Sequence, residues 1–207
     1  MNYTIIELWL DLSCPWCQGA LPVMKQLLLD EAPQASVQWR PTRLHPMPPE
    51  GIDYREAMSK YTQEAEKLAA MRAELEKFNT DRGRVLDLDK AKRLHHPRLA
   101  HALLDLARED GGVDMWALAE RLWDANWAEG ADIARLESLR EAVGSLVPES
   151  LWEQLARGGG VEFVDADRAR AQEIGLDGVP RFYLNGKIVP AWLDVAVVRA
   201  KLREALA

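Results

Sequence analysis

Cys14 and Cys17 are the only cysteines in a chain of 207 residues, with Pro15 and Trp16 between them. Two thiols at that spacing can close a small disulfide ring or supply half of a metal site. Proline suits the first position of a helix, so a helix opening at Pro15 would place Cys14 at its N-cap. The Cys14 sulfur would then take the place of a capping oxygen, facing the free N–H groups of Trp16 and Cys17. Those donors and the helix dipole favour a thiolate. Cys14 is therefore the expected nucleophile. Cys17, almost one turn on, is the expected resolving thiol, which attacks Cys14 and releases a mixed disulfide. Zinc would need two further ligands. His96 and His101 are suitably spaced, but Pro97 lies between them and both are far from the cysteines in the chain. No metal or cofactor is expected, and the histidines are read as surface or packing residues. One exception is His45, in a proline-rich segment, which is the candidate to approach Cys14 and contact substrate.

Hydrophobic residues make up 48% of the chain and charged residues 29%, the balance of a globular protein with a sizeable core. A net charge of −7 argues against nucleic acid as a partner, because phosphate binding needs a basic surface. No apolar stretch approaches the ~20 residues of a membrane span, so no membrane partner is expected. Met1 to Thr4 carry no Lys or Arg, and Glu7 and Asp11 interrupt the apolar run that follows, a poor secretion signal. The expected location is the cytoplasm. A permanent structural disulfide is disfavoured in that reducing compartment, where such a pair serves redox activity or metal binding.

The elements that must position the pair follow from pattern. Thr4 to Leu12 is nearly continuously apolar and predicts a buried strand, with Glu7 at a strand end or facing an edge in preference to a buried carboxylate that tunes proton transfer. A helix from Pro15 to about Asp30 has Leu21, Met24, Leu27 and Leu28 on one face and a kink at Pro22. Ser36 to Arg40 is a second strand. Pro41, Pro46, Pro48 and Pro49 make the stretch to Gly51 an irregular loop and a candidate boundary. Helical periodicity then runs from Tyr54 through Tyr61 to Phe78. Further helices are predicted at Arg98 to Glu109, Asp114 to Trp127, Ile133 to Val143 and Glu149 to Ala156. This helical block is large enough for a small domain. Gly158-Gly159-Gly160 forms a second, flexible joint. A helix from Asp165, as N-cap, to Ile174 follows, with Gly175 past its end. Asn185-Gly186 between two apolar runs predicts a hairpin. The last helix, Asp194 to Ala205, has Val195, Val198 and Leu202 inward.

Cys-Pro-Trp-Cys at a strand-to-helix junction, with Gly178-Val179-Pro180 before a late hairpin, resembles thioredoxin-fold proteins. More narrowly, the chain resembles the FrnE-like branch of the DsbA family. Asp11, the Arg40-Pro41 loop with Leu44, Pro46, Pro49 and Gly51, the pair Ala100-His101, and the run from Ala171 through Gly175 to Pro180 carry that likeness. It implies an α/β thioredoxin-like core, residues 1–51 and 158–207, interrupted by a large all-helical insertion, residues 52–157. It also implies thiol–disulfide exchange, a cis Pro180 packed against the cysteines, and a Val179 backbone free to pair with an extended substrate segment. Pro15, Trp16, Val179 and His45 are the expected substrate-binding residues. The expected partner is a protein or small molecule carrying a thiol or disulfide, glutathione among them. Gln18-Gly19 and His96-Pro97 depart from the branch's usual residues. A glutathione-dependent isomerase or transferase is one alternative, though such relatives carry Ser where Cys14 stands. Another is a non-enzymatic interaction module, suggested by the eight tryptophans.

Overall fold

The apolar run near the N-terminus forms a strand, Ile5–Leu10 (β1), buried at every position after Ile5. The computed structural model describes residues 4–207. A 17-residue helix, Pro15–Glu31 (α1), follows, with Leu21, Met24, Leu27 and Leu28 buried and Pro22 inside it. Next come Ser36–Pro41 (β2), Ile52–Asp53 (β3), Tyr54–Ser59 (α2), Ala65–Thr80 (α3) and Arg93–Leu94 (β4). The helical stretch continues with Arg98–Asp110 (α4), Met115–Asp124 (α5), Leu136–Val143 (α6) and Glu149–Ala156 (α7). Val161–Glu173 (α8), Arg181–Leu184 (β5), Lys187–Pro190 (β6) and Val195–Leu206 (α9) complete the chain. The main sheet has the order β2-β1-β5-β6. β2 lies parallel to β1, β5 antiparallel to β1, and β6 antiparallel to β5. This is a thioredoxin-like α/β fold with a helical insertion.

The hairpin turn has Asn185 at φ 49° and Gly186 at φ 76°, the two left-handed residues of a type I′ turn. β3 and β4, which the sequence pattern did not suggest, pair Ile52 with Leu94 and Asp53 with Arg93. The helical run from Tyr54 is broken between α2 and α3. Thr62 Oγ1 accepts the Glu64 N–H there, a local bond that competes with helix, and Tyr61 is 70% exposed instead of facing the core. Asp165 does not cap α8. Gly160 does, while Asp165 forms a two-pronged ion pair with Arg98. A side chain at Gly160 would lie 2.6 Å from the Ala102 carbonyl, so the glycine run closes tightly on α4. Val195 is partly exposed, and Val198, Leu202 and Ala205 form the inner face of α9.

Glu7 is the other correction. It is buried in the middle of β1, where the Trp9 indole N–H donates to it at 3.2 Å and Arg40 and Arg170 each stand 3.5 Å away. Burial is tolerated because opposite charges surround it. The same Arg40 reaches Asp167 of α8 at 2.6 Å, and Arg108 of α4 reaches the other Asp167 oxygen at 3.1 Å. Asp105, also on α4, lies against Arg108 Nη1 at 2.6 Å. Burial pushes the Asp105 carboxyl up to about 8; Arg108 opposes this, and the charge of Asp167 reinforces it. Asp105 thus holds its proton well above the usual carboxylate range.

A carboxyl whose folded value is raised holds its proton more tightly in the fold than in the unfolded chain, where ~3.9 is usual. Its contribution to stability therefore falls as pH rises from about 4 to about 8. Asp105→Asn keeps the shape of the side chain and cannot ionise. Unfolding midpoints measured across that range should move in the variant's favour relative to wild type as pH rises, then level off. Parallel curves would contradict the assignment.

Candidate active site

Cys14 is the N-cap of α1, with extended backbone at φ −103° and ψ 113°, and Pro15 opens the helix. Its sulfur does not cap the helix, contrary to the sequence expectation. The Cys17 N–H bonds the Cys14 carbonyl at 3.1 Å, which removes that donor from the sulfur's reach. Cys14 Sγ instead lies 3.9 Å from the Val179 carbonyl, across 165 positions of chain. Both cysteines are free; Cys14 is half-buried and Cys17 buried. Burial, first, and then a hydrogen bond to Cys14 and the charge of Cys14 push the Cys17 thiol well above its ordinary value. The Asp11 N–H, 3.5 Å from Cys17 Sγ, works in the opposite direction. The Val179–Pro180 peptide is cis. Pro180 is buried, and its carbonyl accepts the Ala191 N–H at 3.2 Å. The geometry presents one accessible sulfur, one sheltered sulfur beneath it, and a backbone carbonyl opposite.

The family model for the DSBA-like thioredoxin domain matches residues 5–203. The chain belongs to this DsbA-like family. No curated protein matches the sequence. Among solved structures, the probable DsbA oxidoreductase of Streptomyces coelicolor superposes with a TM-score of 0.80 at 23% identity, covering 99% of this chain and 90% of that one. The cytosolic disulfide reductase DsbM of Pseudomonas aeruginosa, solved with GSH, gives 0.63 at 19% identity and 98% coverage of both chains. A 2-hydroxychromene-2-carboxylate isomerase gives 0.64 at 16% identity, covering 97% of this chain and 95% of that one. At these identities the likeness is one of fold. No helix among the described residues is long and apolar enough to cross a membrane.

Around this DsbA-like dithiol the structure places Trp16 half-buried, edge-on to Phe78 of α3 with ring centroids 4.6 Å apart. The Arg82 guanidinium lies 3.7 Å from the centre of the Phe78 ring. Pro15 is half-buried too, and Asn79 Nδ2 donates to its carbonyl at 3.2 Å. Gly19, one of the unusual residues after Cys17, has a packing reason: a Cβ there would meet the Phe78 ring at 2.6 Å. Cys14, Cys17, Pro15, Trp16, Val179 and Pro180 thus share one neighbourhood. His45 does not join them by any hydrogen bond; it is exposed in the loop after β2. The histidine that reaches the segment before Cys14 is His101, fully buried on α4.

Among the neighbours, Asp11 was marked only by the family likeness, and Ser13, Arg43 and Arg181 were not singled out by sequence pattern. Asp11 accepts the Ser13 N–H and Ser13 hydroxyl, both at 2.8 Å, and Arg43 stands 3.4 Å away. Burial pushes the Asp11 carboxyl up, and the Arg43 guanidinium and the Ser13 N–H pull it down. Arg181, directly after Pro180, is buried with its guanidinium 3.5 Å from the centre of the Trp192 ring and 3.1 Å from Asp177. Burial lowers its basicity, while Asp177 and the two sulfurs oppose that change. For Ser13 and Arg181 the one available cue was proximity in sequence to Cys14 or Pro180.

Two outcomes follow from this packing. Iodoacetamide at pH 7 should label Cys14 in the reduced protein and leave Cys17 more than about tenfold slower, since only a thiolate reacts readily; peptide mapping by mass spectrometry would read the two sites. Labelling of Cys17 should rise only at alkaline pH. Gly19→Ala forces the Phe78 ring off Trp16 and should cost about 1–3 kcal/mol of stability by urea unfolding.

Proposed function

We propose that the chain is a thiol–disulfide oxidoreductase in which Cys14 attacks and Cys17 resolves. The observation that carries this reading is the asymmetry of the pair: Cys14 half-buried opposite Val179–Pro180, and Cys17 buried with a raised thiol. In one direction, the Cys14 thiolate attacks a substrate disulfide. A mixed disulfide forms and the first substrate sulfur leaves as a thiolate. Cys17 then gives up its proton and attacks Cys14 Sγ, which releases the second substrate sulfur and closes the Cys14–Cys17 disulfide. The substrate is reduced by two electrons and the enzyme oxidised by two, and the reverse sequence oxidises a dithiol substrate. Ionisation of Cys14 removes its hydrogen from Val179, which frees that carbonyl for an extended substrate. Pro15 and Trp16 flank the accessible sulfur and are the proposed contacts for the substrate's other face.

Glutathione is a fitting small partner. Its support is the fold likeness to a cytosolic reductase solved with GSH, which also favours a cytoplasmic setting. The isomerase likeness is matched in fold, but a retained dithiol serves exchange and has no use in that reaction. The non-enzymatic alternative loses its motive for Trp123 and Trp127, which are buried.

Cys14→Ser should abolish exchange with glutathione disulfide. Cys17→Ser should instead stop after the first step and accumulate one glutathione per chain, visible in the intact mass. Full turnover in the Cys14→Ser protein would overturn the assignment.

A further inference from the structure

β1 ends at Leu10 and α1 begins at Pro15. The residues between them have no regular ladder, so their backbone polar groups must find partners elsewhere. The Asp11 carbonyl takes the Cys14 N–H at 2.9 Å, and the Ser13 N–H goes to the Asp11 carboxylate. Leu12 turns to the helical block for both of its groups. Its N–H donates to His101 Nε2 at 3.1 Å. Its carbonyl accepts from Asn126 Nδ2 at 2.8 Å and from Trp127 Nε1 at 2.9 Å. Two donors satisfy both lone pairs of that carbonyl.

Simple packing does not account for these polar atoms. His101, Asn126 and Trp127 are 0%, 3% and 1% exposed, and an unpaired buried polar atom is costly. His101 Nδ1 has no partner among the described residues, a penalty that an apolar side chain would avoid. Nε2 also lies 3.4 Å from Asp11 Oδ1, but it cannot donate to the carboxylate while its lone pair holds the closer Leu12 N–H. Asn126 and Trp127 lie in a π-helical turn, Ala125–Glu129. Consecutive side chains on an α-helix diverge by about 100°; the wider turn lets both reach one acceptor, and such turns often occur where function demands them.

We propose that His101, Asn126 and Trp127 are positioning residues for thiol–disulfide exchange: by gripping Leu12 they set the stations of the two sulfurs. This rests on the exchange reading above. The grip holds the peptide next to Asp11, whose N–H points at Cys17 Sγ, and the residue next to Cys14's neighbour Ser13. A hydrogen bond to a free Cys17 sulfur favours the reduced pair over the disulfide. Loosening Leu12 weakens that bond and moves the equilibrium toward the Cys14–Cys17 disulfide.

The test uses the full chain in glutathione redox buffers, with the pH profile of Cys14 alkylation and the melting temperature as companion measurements. Trp127→Phe, Asn126→Leu and His101→Phe should each move the equilibrium about fivefold toward the disulfide, the worth of one hydrogen bond, and shift the alkylation profile. His101→Gln restores an acceptor for the Leu12 N–H and should stay near wild type. Trp127→Phe keeps an aromatic ring in place and carries the test if the bulkier changes do not fold. Variants that melt lower yet keep the wild-type equilibrium and alkylation profile would reduce the three residues to packing and overturn the proposal alone. Wild-type protein that exchanges nothing with glutathione would overturn both this proposal and the exchange reading.

Discussion

Between the last residue of β1 and the first of α1 the backbone has to satisfy its own polar groups without a strand or helix to help it. The placement of the sulfurs depends on that constraint. Part of it is met locally, by the Asp11 carbonyl and carboxylate. The rest is met by side chains that arrive from 89 to 115 positions further along the chain. The reactive segment is therefore completed by the insertion, which makes the insertion a structural component of the site.

One helix does much of this work. α4 is buried from Ala100 to Ala107, and its polar residues face different neighbours. His101 turns to the segment before Cys14, while Asp105 and Arg108 turn to Asp167 on α8 and Arg40 on β2. Gly160 closes on its backbone at Ala102. Burying so many charges is a poor source of net stability. Their value lies in geometry: each partner left alone would be an uncompensated charge, so the arrangement of α4, α8 and β2 has few alternatives.

The local rules of the chain were legible because they depend on neighbours in sequence. Proline at the start of α1, the Asn185-Gly186 turn and the nearly continuous apolar run of β1 each act within a few positions. The cysteine pair was legible for the same reason. What escaped was set by distant partners. Glu7 reads as a strand-end charge until Arg40 and Arg170 are brought beside it. His101 reads as packing until the Leu12 N–H is seen to point at its ring. His45 was favoured because it lay in a loop near in sequence, yet burial and not nearness decides which histidine can bind the backbone. The Cys14 sulfur was placed at the helix N–H groups by analogy with oxygen caps, but the Cys14 carbonyl already holds the Cys17 N–H.

The contact between Cys14 and Val179 spans 165 positions, and this has a consequence for synthesis. The chain is made from the N-terminus, so the two thiols leave the ribosome long before the segment that will stand over them. Contacts of such sequence separation also form late in folding. During that interval Cys17 lacks its burial and Cys14 lacks the Val179 carbonyl opposite it, and the pair is an ordinary flexible dithiol. Its distinct chemistry is acquired only when the last quarter of the chain closes the sheet.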